Sequence, residues 1–147
     1  MNTTAYTIHT DGGSRGNPGP AASGFVIDGP GINRIEHGEK LGVATNNVAE
    51  YTAVLLALRK LKALLGAERA KNAVVHVKAD SELLVKQLNG EYKVRDANLR
   101  AIFLDVWNVR LDFGSVTFQH IRREQNQEAD RMVNAALDGE LTPGLDL

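Results

Sequence analysis

Residues 4–41 read "TAYTIHTDGGSRGNPGPAASGFVIDGPGINRIEHGEKL", and the fold is decided here. Tyr6, Ile8 and Thr10 alternate with Thr7 and His9, which is the period-two pattern of a strand over residues 4–10. Gly12 and Gly13 end that strand just past Asp11, and a loop rich in Gly, Ser, Asn and Pro follows. "SGFVIDG" (23–29) and "INRIEHGEKL" (32–41) read as two further strands joined through "GPG", so the opening third is an antiparallel meander. An acidic residue just past a strand at the centre of a sheet is partly buried and needs a partner. Asp11 is therefore the first candidate functional residue.

Beyond the meander the period changes. From Asn47, the residues Tyr51, Val54, Leu55, Leu58, Leu61 and Leu65 recur at spacings of three and four, and Gly66 sits where the helix should stop. "AVVHVKA" (73–79) alternates as a fourth strand, and "SELLVKQLN" (81–89) makes a short helix ending at Gly90. Residues 97–112 carry Leu99, Ile102, Phe103 and Val106 at helical spacing, and "SVTFQHI" (115–121) is a fifth strand. A last helix buries Ala129, Met132, Val133, Ala136 and Leu137. The reading gives one domain over residues 1–140 and an irregular C-terminal tail over 141–147. Strands separated by helices pair in parallel through right-handed crossovers, whereas hairpin-linked strands are antiparallel. The expected fold class is α/β: a mixed five-stranded sheet, three strands antiparallel and then two parallel, flanked by helices.

The 147 residues are 43% hydrophobic and 24% charged, ordinary for a soluble globular domain. A formal net charge of -1 supplies no global basic field, so binding of a polyanion must rest on local patches or on cations held by carboxylates. There is no Cys, which excludes disulfides, a thiol nucleophile and thiolate zinc sites. No run approaches the ~18 apolar residues of a membrane span, and no signal-peptide pattern opens the chain. The expectation is a cytoplasmic monomer without membrane attachment.

On this topology strands one and four form the switch pair, where ligands collect at the carboxyl ends of strands. Asp11 follows strand one and Asp80 follows strand four. Glu50 lies in the first turns of the long helix and Asp130 near the start of the last one, so all four carboxylates can meet in one crevice. Such a cluster is self-repelling unless cations neutralise it, and hard oxygen ligands select Mg²⁺ or Mn²⁺ over zinc. Structural readings stand beside this one: Asp80 before "SELL" suits a helix N-cap, "NVAE" (47–50) suits a capping box, and Asp130 in a first turn suits the helix dipole. Taken together, the four favour a metal site.

Four ordered segments carry a resemblance: "TDGGSRGNPGP" (10–20), "TNNVAEYTAVLLAL" (45–58), "ADSELLVKQLNG" (79–90) and "HIRREQNQEADRMVNAAL" (120–137). From about residue 5 to 138 the chain resembles type 1 ribonuclease H. The resemblance implies the ribonuclease H-like fold and Mg²⁺- or Mn²⁺-dependent cleavage of the RNA strand of RNA–DNA hybrids, leaving 5′-phosphate and 3′-hydroxyl ends. It puts the family's acidic quartet on Asp11, Glu50, Asp80 and Asp130, with two ions in the substrate complex, and its catalytic histidine on His120. Arg122 or Arg123 is the competitor for that last role. Substrate contacts would fall on Gly12, Gly13, Asn17, Asn46 and Asn47, whose amides and close backbone suit a 2′-hydroxyl, and on Thr45, which matches a position that the family uses toward a phosphate of the DNA strand.

Two departures bear on substrate binding. Glu82 stands where relatives often have Gln, and "LNGEYKVRDANL" (88–99) is too short for the basic protrusion of several bacterial relatives. Lys86, Lys93, Arg95, Arg122 and Arg123 are the partial replacement. The alternatives are a resolvase-like DNA nuclease of the same fold and a weakly catalytic RNA-binding module. The asparagine-rich loops count against the first, the complete quartet against the second.

Overall fold

The computed structural model describes residues 3–139, so the expected tail and the domain end at 140 lie outside the described residues. Strands β1 (Thr4–Ser14), β2 (Gly19–Asp28) and β3 (Ile35–Ala44) precede helix α1 (Asn46–Lys71). Strand β4 (Ala73–Ala79), helices α2 (Glu82–Leu88) and α3 (Ala97–Arg110), strand β5 (Ser115–His120), a 3₁₀ turn (Arg123–Gln125) and helix α4 (Gln127–Leu137) complete the chain. The sheet order is β3-β2-β1-β4-β5. Strands β1, β2 and β3 are antiparallel neighbours, and β4 joins β1 and β5 in parallel. The mixed five-stranded sheet expected from the sequence is present.

Helix α1 covers one face of the sheet, over a core of Tyr6, Ile8, Phe25, Ile27, Val54, Leu58, Leu61, Val75 and Val77. Leu58 and Leu61 are fully buried, each worth about 1.5–3 kcal/mol of removed apolar surface. Helix α4 closes the other face through a smaller cluster of Ala22, Val133 and Ala136.

Strand and helix ends differ from the sequence reading in instructive ways. Strand β1 does not stop at residue 10: Asp11, Gly12, Gly13 and Ser14 stay in the ladder with Gly24, Ser23, Ala22 and Ala21 of β2. A neighbouring strand supplies hydrogen-bond partners that outweigh the weak strand preference of two glycines. Asp11 is thus inside a strand rather than beyond one. Strand β2 begins at Gly19 instead of 23, and β3 occupies Ile35–Ala44 instead of 32–41, because their register pairs Gly19 with Ala44 and Ile27 with Ile35. At Gly66 (φ 77°, ψ 167°) helix α1 kinks where a stop was expected, and helical backbone resumes to Lys71.

Two close approaches place the elements that matter below. A Cβ on Gly12 would lie 2.3 Å from the backbone of Ala49 and Glu50, so α1 rests directly on the β1 main chain. A Cβ on Gly24 would lie 2.7 Å from the Ala129 carbonyl oxygen, so α4 rests equally closely on β2. We expect Gly12→Ala to cost about 2–3 kcal/mol by overpacking against unyielding backbone, a fall of roughly 4–12 °C in melting temperature measured in chelator. Gly13→Ala is the control, since its Cβ would meet only a Val133 methyl at an ordinary 3.5 Å.

Candidate active site

The parallel pairing of β1 with β4 ends at Thr10 and Ala79, whereas the pairing of β1 with β2 continues to Ser14. Asp11 occupies the step between the two ladders. Directly opposite Gly24, its side chain emerges on the α4 face, and its Oδ1 accepts the Gly12 N–H at 2.9 Å. Asp80 is the first residue beyond β4, and Glu50 lies one turn into α1. Oxygens of Asp11, Glu50 and Asp80 lie within 4.8 Å of one another. Asp130 stands outside this tight trio but lines the same open cleft of about 490 Å³, and its carboxylate acts on that of Asp11.

The capping roles proposed for two of these residues fall to their neighbours. Thr45 caps α1, its Oγ1 accepting from the Val48 N–H at 3.2 Å, and Ser81 caps α2, its Oγ accepting from Leu84 N–H at 3.2 Å. Glu50 and Asp80 are therefore free of helix ends. Asp130 remains in the first turns of α4, where the dipole favours it, and Asn134 Nδ2 donates to its Oδ2 at 3.3 Å.

Crowding has an electrostatic cost. Burial first, then the Asp80 and Asp130 charges, push the Asp11 carboxyl from an ordinary 3.8 to about 8, although the Gly12 N–H pulls the other way. Burial and then Asp80 push Glu50 from 4.5 to about 7, opposed by the Arg123 guanidinium and a Ser81 hydrogen bond. The donor set is all carboxylate oxygen, and its charge lacks full compensation by the protein's own cations. These observations fit hard divalent ions, with Asp11, Glu50, Asp80 and Asp130 as the residues that would hold them.

The other expected residues divide into two groups. Gly12, Gly13, Asn46 and Asn47 line the cleft. Asn17 Oδ1 accepts the Asn46 N–H at 3.1 Å and Asn46 Oδ1 accepts the Ser14 N–H at 2.7 Å, so these amides bind the β1–β2 loop to the start of α1. Thr45 uses its hydroxyl as the cap. Glu82 is exposed, paired with Lys86 at 3.3 Å, and outside the cleft lining. His120 is the last residue of β5, opposite Ala79, exposed and also outside the lining, whereas Arg123 is part of it. Strand β5 keeps His120 in the edge ladder, and the chain reaches the carboxylates only at Arg123 in the following turn. Sequence reading missed Ser81 and Asn126, because a Ser or Asn at a helix start reads as ordinary capping chemistry, and Asn134, because an Asn inside a helix reads as a solvent-facing polar residue. Among the described residues, no helix is long and apolar enough to cross a membrane.

A family profile described as Reverse transcriptase-like matches residues 9–136. A Halobacterium salinarum protein named Ribonuclease HI is 39% identical over 129 residues, covering 87% of this chain and 62% of that protein. The solved complex of LC11-RNase H1 with an RNA/DNA hybrid superposes with a TM-score of 0.84 at 40% identity, covering 93% of this chain and 99% of that one. The chain belongs to the type 1 ribonuclease H family. Its sheet is the ribonuclease H fold, and the short connection from Leu88 to Ala97 makes it a short member. A bifunctional Mycobacterium tuberculosis protein is also 35% identical, but the chain spans only 35% of its length.

The raised carboxyls give a pH signature with a definite sign. Between the unfolded pKa values near 4 and the folded values of about 7 and 8, the native state holds more protons than the unfolded state, so stability falls as pH rises. We expect the melting temperature in chelator to decline from pH 5 to 8 and then level, and excess Mg²⁺ to flatten that slope. Binding of the cation near pH 7 should release protons, seen as a buffer-dependent heat in calorimetry.

Proposed function

We propose that this ribonuclease H hydrolyses the RNA strand of RNA–DNA hybrids, leaving 5′-phosphate and 3′-hydroxyl ends, with Mg²⁺ or Mn²⁺ as cofactor. The single observation that carries the reading is the convergence of Asp11, Glu50 and Asp80 within 4.8 Å at the floor of an open, polar cleft. Divalent cations, held by Asp11, Glu50, Asp80 and Asp130, would supply activation of an attacking water and stabilisation of the departing 3′ oxygen. Asp11 enters from the sheet centre between Glu50 and Asp80, and Asp130 from α4 would complete the set of carboxylates that holds the cations.

The rest of the cleft supplies positioning. Asn46 and Asn47 present side-chain amides at the rim, groups that both donate to and accept from a 2′-hydroxyl. Gly12 and Gly13 let the backbone come close to a sugar edge. Arg123 contributes a guanidinium on the Glu50 side, which can hold a phosphate oxygen through two N–H groups. A relative 40% identical to this chain has been crystallised with an RNA/DNA hybrid, which supports the choice of substrate.

End-labelled RNA–DNA hybrid, RNA duplex and DNA duplex, each incubated with Mg²⁺, Mn²⁺ or chelator, test the proposal. The RNA of the hybrid should be cut only with a cation present; cleavage in excess chelator, or preference for the DNA duplex, would overturn it. Asp11→Asn should lower the rate by roughly 10³-fold or more with little loss of folding, since stabilising the charge that develops at the reacting phosphate dominates catalysis of such a reaction.

A second expectation concerns the turnover residue. Arg123→Ala should slow single-turnover cleavage about 10–100-fold at an unchanged melting temperature, as loss of one phosphate-directed cation does. His120→Ala should stay within about threefold of the parent. The reverse order would return the role to His120.

A further inference from the structure

Asn126 has a side chain that its position does not explain. It stands at the N-cap of α4, where an asparagine normally turns its Oδ1 onto the helix's own free N–H groups, yet no side-chain cap is made there. Its amide points the other way. Nδ2 donates to the Thr10 carbonyl oxygen at 2.8 Å and to Asp80 Oδ2 at 2.9 Å. The residue is 1% exposed, and its Oδ1 is buried without a partner. The opposite amide orientation would set Oδ1 against a carbonyl and a carboxylate, both acceptors, so the assignment follows from the neighbours.

The backbone of the same residue adds two contacts. The Asn126 carbonyl accepts the Asp130 N–H at 3.1 Å, and the Asn126 N–H donates to the Arg123 carbonyl at 3.0 Å. One residue therefore touches the strand position before Asp11, the carboxylate of Asp80, the helical turn that carries Asp130, and the turn that carries Arg123. The β1–β4 ladder aligns the first two of these, Thr10 and the end of β4, but no ladder ties helix α4 or the 3₁₀ turn to them.

We infer that Asn126 is a positioning residue for the cation site: its amide fixes the Asp80 carboxylate and seats the Asp130 helix against the step in β1. The bond to Oδ2 holds the carboxylate against rotation and leaves Oδ1, which makes no hydrogen bond among the described residues, as its ligand oxygen. An unfilled cap and an unpartnered Oδ1 are both unfavourable for folding, and both follow from aiming Nδ2 at the site. The inference rests on the reading of the carboxylates as a divalent-cation site.

Mn²⁺ titration of the metal-free protein by calorimetry, with melting curves in chelator, tests it in two variants. Asn126→Ala removes the amide. Asn126→Ser replaces it with a good N-cap whose shorter hydroxyl serves the α4 N–H groups but cannot reach both Thr10 and Asp80. Loss of a group that orients a metal ligand typically weakens binding 10–100-fold, and that is the expected fall in Mn²⁺ affinity for both variants. The Ser variant should keep the parent melting temperature in chelator. Its hybrid cleavage at limiting Mn²⁺ should fall in parallel and recover when Mn²⁺ is raised tenfold or more, with the hybrid KM within twofold.

Mn²⁺ affinity within twofold of the parent in a folded variant would overturn the assignment. So would losses of affinity that only track losses of melting temperature, or failure of both variants to fold, which would make Asn126 a folding residue. A parent protein that binds no Mn²⁺ would instead overturn the cation reading itself.

Discussion

Strand β1 is paired on both sides from Thr7 to Thr10 and with β2 alone from Asp11 to Ser14. Everything at the site depends on that asymmetry. A fully paired strand would bury Asp11 between two neighbours, and a strand ending at residue 10 would leave it on a loop with no fixed direction. Held by β2 alone, Asp11 keeps strand geometry while the space vacated by β4 opens into the cleft. At the same step the Thr10 carbonyl accepts the Asn126 amide. A buried carbonyl must be satisfied by something, so the end of one ladder specifies where α4 has to begin.

The fold then drives like charges together instead of apart. Helix α1 lies against the bare backbone of Gly12, which brings Glu50 within ligand distance of Asp11, and α4 lies against Gly24, which brings Asp130 over the same residue. Neither approach is compatible with a side chain at those two positions. Backbone contact is thereby used to hold carboxylates at separations they would not choose, and burial first, with the neighbouring Asp80 charge second, raises the Asp11 and Glu50 pKa values. A divalent cation converts that opposition into binding, which is the physical sense in which the apolar core behind α1 supports the chemistry in front of it.

The sequence was most legible where periodicity is one-sided. Strand β4 alternates buried and half-buried residues, and its limits, Ala73–Ala79, are those read from "AVVHVKA". Strand β2 is buried along nearly its whole length because α1 covers one face and α4 the other, so no alternation marks its start. The end of β1 was hidden for a different reason: Gly12 and Gly13 carry a turn signal locally, and the partner that keeps them extended lies in a later segment. The carboxylates were legible because their residue types and chain order allow few alternatives. The relation between His120 and Arg123 was not, since it depends on how far β5 runs before the chain turns.

Helix capping explains why the site is as readable as it is and where it stops being so. At α1 and α2 a hydroxyl residue takes the cap, Thr45 and Ser81, and the acidic residues beside them, Glu50 and Asp80, are released to the cleft. Stability and function are served there by separate side chains. At α4 the division fails, because the residue in the cap position is also the one that must span from β1 to Asp80. Its amide cannot satisfy both demands, and the geometry favours the site over the helix. An asparagine before a helix is thus ambiguous in sequence: the same letter marks a cap or its sacrifice. Only the neighbours of its Nδ2 distinguish the two, and in this fold those neighbours, Thr10 in β1 and Asp80 just past β4, lie more than forty residues away in the chain.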